Sequence, residues 1–180
     1  MVLKGQGLAQ LYPKPLRRMS GDIDFWITSH SRDEVVKYLN GKGFNSRVVY
    51  HNMPLPCFKG TEVEIHFTPS WMNNYFINRR LQQWFADMSA KTREVTLTTG
   101  ERIPVPSDTF NAVFVLQHIY RHLFGSGIGL RQLMDYFYVL RQVSSEGLAV
   151  SGDIIHQTSS ILHQLRMDKF TAAVMWVLLL

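Results

Sequence analysis

Two aspartates at the start of an apolar run are the residues in this sequence best suited to chemistry. They are Asp22 and Asp24, in the stretch RRMSGDIDFWI. In an extended strand, residues two apart point to the same side and lie about 7 Å apart, so both carboxylates face one small volume. We expect their repulsion to raise the pKa of at least one of them. Hard divalent cations bind carboxylate oxygens and leave room for phosphates, so the pair indicates a metal site, with a solvated hairpin edge as the alternative.

A third carboxylate is available on a later strand, TEVEIHF. Alternation places Glu62, Glu64 and His66 on one face of that strand. If it pairs beside DIDFWI, Glu64 completes a three-carboxylate cluster, because it lies in mid-strand whereas Glu62 lies near a loop. Taken alone, Glu64 reads as an exposed strand residue, and His66 as a hydrogen-bonded structural residue rather than a ligand.

A glycine-containing turn near the start of the chain could contact phosphate. In LKGQG, Gly5 and Gly7 separate a predicted strand from a predicted helix, so backbone N–H groups could approach a phosphate, with Lys4 adding a positive charge. Glycine for turn geometry alone is the alternative. Arg17 and Arg18 could neutralise a triphosphate or simply balance the acidic residues.

The elements that must position these residues alternate in the first part of the chain. Period-two patterns and turn residues predict strands at the stretches VL, DIDFWITS, NSRVVYH, TEVEIHF and REVTLTTGERIPVPS, the last a hairpin turning at Thr99 and Gly100. The proline-rich NMPLPCFKG is predicted to be a hairpin loop. A short helix should follow the glycine turn, SRDEVVKYLNGKGF should be a helix capped by Ser31, and WMNNYFINRRLQQWFADM should be helical or irregular.

From Ser107 onward the apolar period changes from two to about 3.6, which predicts three helical segments. They cover 107–124, 129–143 and 151–180, separated by GSGI and SSEGLAVSG. The sequence therefore predicts an α+β lobe over residues 1–106 and a helical lobe over 107–180. Both ends lack the usual start and stop signals, so we expect each lobe to be truncated relative to a longer protein.

Composition excludes several classes. The 180 residues include 46% apolar residues, which predicts a buried globular core. The net charge of +5 permits an anionic ligand, but no long basic run marks a nucleic-acid arm, so nucleic acid is not an expected partner. The single cysteine, Cys57, fits a reducing compartment, and we expect a cytoplasmic protein. The apolar C-terminal run TAAVMWVLLL, ten residues long, is too short to span a bilayer.

The order of these features, a glycine turn, a short helix, Asp-x-Asp and a later lone acid, resembles the nucleotidyltransferase superfamily with the polymerase-beta-like palm fold. More narrowly, LKGQGLAQLYPKPLRRMSGDIDFWI, EIHF and LRQLMDYFYVL resemble a bacterial group of uncharacterised nucleotidyltransferase-like proteins, over most of residues 1–140. The resemblance implies an α+β fold, a mixed sheet with flanking helices, followed by a helical lobe. One departure is Gln6, where the superfamily most often has serine after the glycine.

The resemblance also implies roles for the candidate residues. Asp22 and Asp24 would hold two Mg²⁺ or Mn²⁺ ions, with Glu64 as third carboxylate, either a metal ligand or a general base. The phosphate turn would be formed by Gly5, with Lys4 as a substitute phosphate contact. A nucleoside monophosphate would pass from an NTP, with ATP expected, to a hydroxyl of a small molecule or protein.

The helical lobe would then select the acceptor. His122 and Arg131 are its expected contacts to ligand, whereas Arg18 is an expected contact to the nucleotide phosphates. His118 and His122 share a helix face, but without a third ligand a satisfied pair is the simpler interpretation. Asp135 lies four residues after Arg131, so an ion pair within the helix is the default for these two.

Three other functions stay open on the sequence. A glycosyltransferase also uses Asp-x-Asp to hold a metal and a nucleotide, but there the acidic pair tends to end an apolar strand rather than begin one. A catalytically inactive nucleotide-binding or antitoxin-like module would keep the same fold without turnover, although all three carboxylates are present. A helical nucleic-acid binder is disfavoured by the lack of a clustered basic helix face.

Overall fold

A computed structural model describes residues 1–19, 21–125, 127–145 and 148–179, without the side chains of Cys57 and residues 148–151. Within these residues there are six strands: β1 Val2–Leu3, β2 Ile23–Trp26, β3 Asn52–Phe58, β4 Thr61–His66, β5 Thr92–Thr96 and β6 Arg102–Pro106. They also contain seven α-helices: α1 Gly5–Ala9, α2 Arg32–Gly41, α3 Tyr75–Met88, α4 Asp108–Gly125, α5 Leu130–Ser145, α6 Leu148–Gln164 and α7 Asp168–Leu179. A short 3₁₀ helix covers Pro15–Arg17.

Four of the strands form a mixed sheet in the order β1-β2-β4-β3, and β5 and β6 form a separate antiparallel hairpin. The central pair, β2 and β4, is parallel, and both outer pairs are antiparallel. The register sets Asp24 directly beside Glu64, and Trp26 beside His66. The predicted adjacency of the two acidic strands is therefore correct, and the fold is α+β as predicted.

One predicted strand is wrong. Residues 45–51 form no strand, and β3 instead occupies Asn52–Phe58, for which the sequence predicts a proline-rich loop. Pro54 and Pro56 are tolerated because β3 is an edge strand, whose outer side needs no backbone hydrogen bond. The hairpin turns at Lys59 and Gly60, which both have positive φ, 50° and 81°.

Local signals account for the helices of the first part of the chain. Ser31 caps α2 in a complete capping box with Glu34, as its sequence indicates. The ambiguous aromatic stretch is a helix, α3, because Asn74 accepts a hydrogen bond from the N–H of Ile77 and so caps its start.

The helical part differs from prediction in one respect. The third predicted segment is two helices, α6 and α7, with Arg166 at a φ of 57° between them. Leu165 and Met167, on either side of that residue, are each 1% exposed, so packing fixes the break. Much of the predicted separator SSEGLAVSG belongs to α5 and α6, while its residues 146 and 147 lie outside the described residues.

Two apolar cores lie on opposite faces of the four-stranded sheet. The larger, the front core, joins Trp26 of β2 to α3, α4, α5 and α6, with Phe85 and Phe110 packed on the Trp26 ring. The smaller, the back core, lies between α2 and the other face and includes Met53 and Ile65. The division into lobes at residue 106 stays a prediction. None of the described helices is long and apolar enough to span a bilayer.

Candidate active site

Three potential metal ligands meet on the front face of the sheet. They are Asp24, Glu64 and His66, here called the Asp24 cluster, and their ligand atoms lie within 4.8 Å of one another. His66 Nε2 is 2.8 Å from Asp24 Oδ1 and 3.2 Å from Glu64 Oε2. The parallel pairing of β2 with β4 makes this possible, because it sets Asp24 beside Glu64 and alternation keeps His66 on the same face.

Cationic partners surround Asp24, which is only 1% exposed. Lys4 Nζ lies 3.0 Å from Asp24 Oδ2, and His66 contacts the other oxygen. Burial alone would raise the pKa of Asp24, but the hydrogen bond from His66 and the charge of Lys4 outweigh burial, so that pKa is lowered. The expectation of a raised pKa is therefore wrong for Asp24, because its nearest charged groups are cations rather than Asp22.

The other two members of the cluster stabilise each other's charge. The pKa of Glu64 is lowered, first by the hydrogen bond with His66 and, against the effect of burial, also by the amide of Asn52. Burial by itself would lower the pKa of His66, but the hydrogen bonds to Asp24 and Glu64 raise it above the usual value. The cluster thus favours two carboxylates bridged by an imidazolium.

The donor set fits a divalent cation. Within the described residues, His66 Nδ1 is buried without a hydrogen-bond partner, and Asp24 Oδ2 has only its ion pair with Lys4. Two carboxylates and one imidazole suit Mn²⁺ better than Mg²⁺, which prefers oxygen ligands only. Metal binding would require His66 to be neutral and Lys4 to release Asp24.

A small cavity of about 80 Å³ adjoins the cluster at Lys4. It is called here the Lys4 cavity, and five residues predicted to contact the phosphates or the acceptor line it: Lys4, Gly5, Arg18, His122 and Arg131. Asp22, which directly precedes β2, lines it as well and is not part of the Asp24 cluster. The structure therefore brings these residues to one cavity, but Asp22 is outside the group of ligand atoms that lie within 4.8 Å of one another, and its metal-binding role stays a prediction.

Arg18 is tied to the helical part of the chain. Its Nε and Nη2 each donate to one oxygen of Asp135 at 2.7 Å, and the hydroxyl of Tyr12 donates to Oδ1 of the same carboxylate at 2.7 Å. The expected partner of Asp135 within α5 is Arg131, and this expectation is wrong: Arg18 occupies both carboxylate oxygens from a distant segment. Because Nε and Nη2 of Arg18 already donate to Asp135, few N–H donors of this guanidinium remain for a phosphate.

Arg131 lies instead against the chain that leads into Asp22. A Cβ at Gly21 would be 2.7 Å from Arg131 Nη1, so a larger residue there would displace the guanidinium from this position. Besides Arg18, the cationic side chains that line the cavity are those of Arg131 and Lys4.

His118 and His122 also line this cavity, and their ring centroids are 4.2 Å apart. Burial and the nearby positive charges of Lys4 and Arg121 lower the pKa of both imidazoles. Both rings are therefore expected to be neutral near pH 7, as hydrogen-bonding groups rather than as phosphate-neutralising cations.

The sequence does not predict the roles of two residues of the site, His66 and Asn52. The sequence favours a structural role for His66 and predicts a loop at Asn52. The Glu-x-His spacing on one strand face is the signal for His66. No local signal indicates Asn52, because its position depends on the edge-strand pairing that sets it beside His66.

No curated protein and no solved structure matches the chain. A family model described as uncharacterised nucleotidyltransferase matches residues 1–177. The match confirms the resemblance drawn from the motifs, and it covers nearly the whole chain. The protein belongs to this family of uncharacterised nucleotidyltransferases.

Proposed function

We propose that the protein is a metal-dependent nucleotidyltransferase that moves a nucleoside monophosphate from an NTP, with ATP as the expected donor, to a hydroxyl group. The observation that carries the proposal is the position of the Asp24 cluster next to the Lys4 cavity. Three metal-ligating side chains beside a cavity with phosphate-compatible cations are the parts that phosphoryl chemistry requires. The parallel central strands support a polymerase-beta-like palm as the fold.

The size of the Lys4 cavity limits what it can hold. About 80 Å³ is enough for phosphate groups but far below the 300 to 1,000 Å³ typical of sites for whole small molecules. We therefore assign the cavity to the phosphates, with Lys4 and Arg131 as their contacts. The nucleoside would extend out of the cavity toward solvent.

The proposed reaction is an in-line displacement. The acceptor oxygen bonds to the α-phosphorus, the bond from that phosphorus to the bridging oxygen breaks, and pyrophosphate leaves with the electron pair. The hydroxyl proton is released to water. A divalent cation would supply charge stabilisation, held by Asp24, Glu64 and His66. The lowered pKa of Glu64 makes this carboxylate a weak base, which favours the role of metal ligand.

Two glutamates of β4 provide a matched test. Glu64 belongs to the Asp24 cluster, whereas Glu62, two residues earlier on the same strand, is exposed. We expect Mn²⁺ plus ATP to raise the melting temperature of the wild type and of Glu62→Gln, and to leave Glu64→Gln unchanged. Transfer of α-labelled phosphate from ATP to acceptor libraries should fall at least about 100-fold in Glu64→Gln only.

An equal response of the two variants to Mn²⁺ and ATP would contradict the proposed site. Mg²⁺ should give a smaller shift in melting temperature than Mn²⁺, since imidazole is a poor ligand for Mg²⁺. If neither Mn²⁺ nor Mg²⁺, each added with ATP at saturating concentration, changes the melting temperature of the wild type, the metal-dependent proposal as a whole is contradicted.

An inactive nucleotide-binding module is the second candidate, and one observation favours it. Lys4 and His66 already compensate Asp24, so the site is electrostatically complete without metal. This candidate predicts that ATP raises the melting temperature without Mn²⁺ and that no labelled product forms with any acceptor.

A further inference from the structure

A half-buried arginine on α4 lies beyond the Lys4 cavity and has no role in the mechanism above. The guanidinium carbon of Arg121 lies 3.1 Å from the centroid of the Trp71 ring. Its Nη1 donates a hydrogen bond to Ser70 Oγ at 3.3 Å. Among the described residues no carboxylate forms a salt bridge with it, whereas Arg18, the comparable arginine of the Lys4 cavity, is held by Asp135.

This arrangement is held in place rather than loose. The carbonyl of Trp71 accepts a hydrogen bond from the fully buried Gln117, at 2.9 Å. The carbonyl of Ser70 accepts another from Gln82, also at 2.9 Å. Both ends of the short segment that carries the stacked tryptophan are therefore fixed, and Arg121 is preorganised on its surface.

Arg121 lines a cavity of about 220 Å³ whose walls are largely aromatic. Trp71, Tyr120 and Phe124 form these walls, and Asn73 contributes a polar side chain. The Phe124 ring is 72% exposed, so a ligand in this cavity would cover apolar surface that water now contacts. We call it the Arg121 cavity.

The charge of the cavity defines its ligand. A partly buried cation without a carboxylate partner is unfavourable, and burial lowers the pKa of Arg121 to about 10. One guanidinium compensates one negative charge, and the aromatic walls cannot compensate a second. A planar carboxylate also matches the donor geometry of a guanidinium, whereas a phosphate dianion would keep uncompensated charge.

The two cavities flank the same turns of α4. His118 and His122 face the Lys4 cavity, whereas Tyr120 and Arg121 face the other. A row of rings also links the Arg121 cavity to the Asp24 cluster, since His51 lies 4.1 Å from Trp71 and 5.7 Å from His66 between ring centroids.

We propose that the Arg121 cavity binds a small monocarboxylate with an aromatic or apolar body, with the guanidinium of Arg121 as the carboxylate contact. Resting on the proposed function, we assign this molecule as the acceptor, which would carry its hydroxyl group at the end away from the carboxylate. The carboxylate would be anchored at Arg121, and the aromatic or apolar body would lie against Trp71, Tyr120 and Phe124.

The test uses 4-hydroxybenzoate as the probe, without metal or nucleotide. Binding is followed by tryptophan fluorescence and by the indole N–H signals in NMR spectra. We expect saturable binding to the wild type and at least roughly tenfold weaker binding to Arg121→Gln. Arg80→Gln is the matched control, because Arg80 also makes one 3.3 Å hydrogen bond, to a carbonyl on a distant surface, and should leave affinity unchanged. The neutral analogue 4-hydroxybenzamide should not bind.

A second variant separates lost binding from lost folding. Phe124→Ala removes an exposed ring, should keep the wild-type melting temperature, and should weaken 4-hydroxybenzoate binding several-fold. Equal affinity of the wild type and Arg121→Gln, tighter binding of phenyl phosphate than of 4-hydroxybenzoate, or no saturable binding to the wild type would each overturn the proposal. If Arg121→Gln no longer binds 4-hydroxybenzoate but its melting temperature still rises with Mn²⁺ and ATP, the two sites are independent. If the wild type binds 4-hydroxybenzoate but its melting temperature does not rise with Mn²⁺ and ATP, the result counts against the proposed function and not against this cavity.

Discussion

On the front face of the four-stranded sheet, β2 and β4 carry Asp24, Glu64 and His66 in mutual contact. On the back face, the same two strands carry apolar side chains such as Phe25 and Ile65, which pack beneath α2. The faces therefore differ in chemistry although they share a backbone, because alternation sends neighbouring residues to opposite sides.

The difference lies in what each face demands of its surroundings. The back core needs apolar volume only, which apolar residues between Phe25 and Phe67 supply. The front cluster needs charge compensation, which Lys4 supplies from the start of α1. Lys4 has a positive φ of 48°, an unfavourable backbone conformation for a lysine. The front face is thus the more demanding one to build, as expected of a functional site.

Of the substitutions that compare the two faces, Asp24→Asn should have the largest effect on stability. The substitution leaves the partly buried Lys4 without its anionic partner and leaves the buried His66 with Glu64 alone. We expect it to lower the free energy of unfolding by about 3 to 5 kcal/mol, measured by chemical denaturation, and to abolish the Mn²⁺ response. The double variant Lys4→Met, Asp24→Asn should recover part of the loss, because both charges are then absent. An Asp24→Asn variant as stable as the wild type would show that the front face is not held by charge.

A smaller and purely structural effect is expected on the back face. Met53 is fully buried there, and Met53→Ala should lower the free energy of unfolding by about 2 to 4 kcal/mol by leaving a cavity. The shift in melting temperature caused by Mn²⁺ plus ATP should stay at its wild-type size. As a control, Tyr38→Ala on the exposed side of α2 should change stability by no more than about 0.5 kcal/mol. A weakened ligand response in Met53→Ala would remove the functional contrast between the faces.

The smallest effect is a pH dependence that the histidines of the front face should produce, measured without metal. The raised pKa of His66 contributes stability below pH 6.5, its usual value, which is lost as pH rises through the folded pKa. The lowered pKa values of His51, about 4, and of His118 and His122 act oppositely, and stability falls as pH drops below 6.5. The contribution of these histidines to stability should therefore be greatest near pH 6.5.

Variants should separate the loss of stability above pH 6.5, called here the alkaline limb, from the loss below pH 6.5. His66→Gln should flatten the alkaline limb alone, and Met53→Ala should lower the whole profile without changing its shape, since the members of the back core are all apolar. A maximum that persists unchanged in His66→Gln would assign the alkaline limb to another group.

Local chemistry by itself determines much of the fold and of the site. The capping residues of α2, the alternation of β4 and the change of apolar period at Ser107 predict elements that the structure contains. These signals are readable because each depends on residues within a few positions of one another. The same holds for the candidates Asp24 and Glu64, whose faces follow from strand periodicity alone.

Contacts between distant segments decide the rest. The sequence predicts a loop at Asn52 because two prolines follow it, and only pairing at a sheet edge makes that segment a strand. The lowered pKa of Asp24 depends on His66 and Lys4, and the partner of Asp135 is Arg18, 117 positions away. A sequence displays spacing along the chain, but the partner of a buried charge is set by which segments fold against one another, and this is a property of tertiary structure.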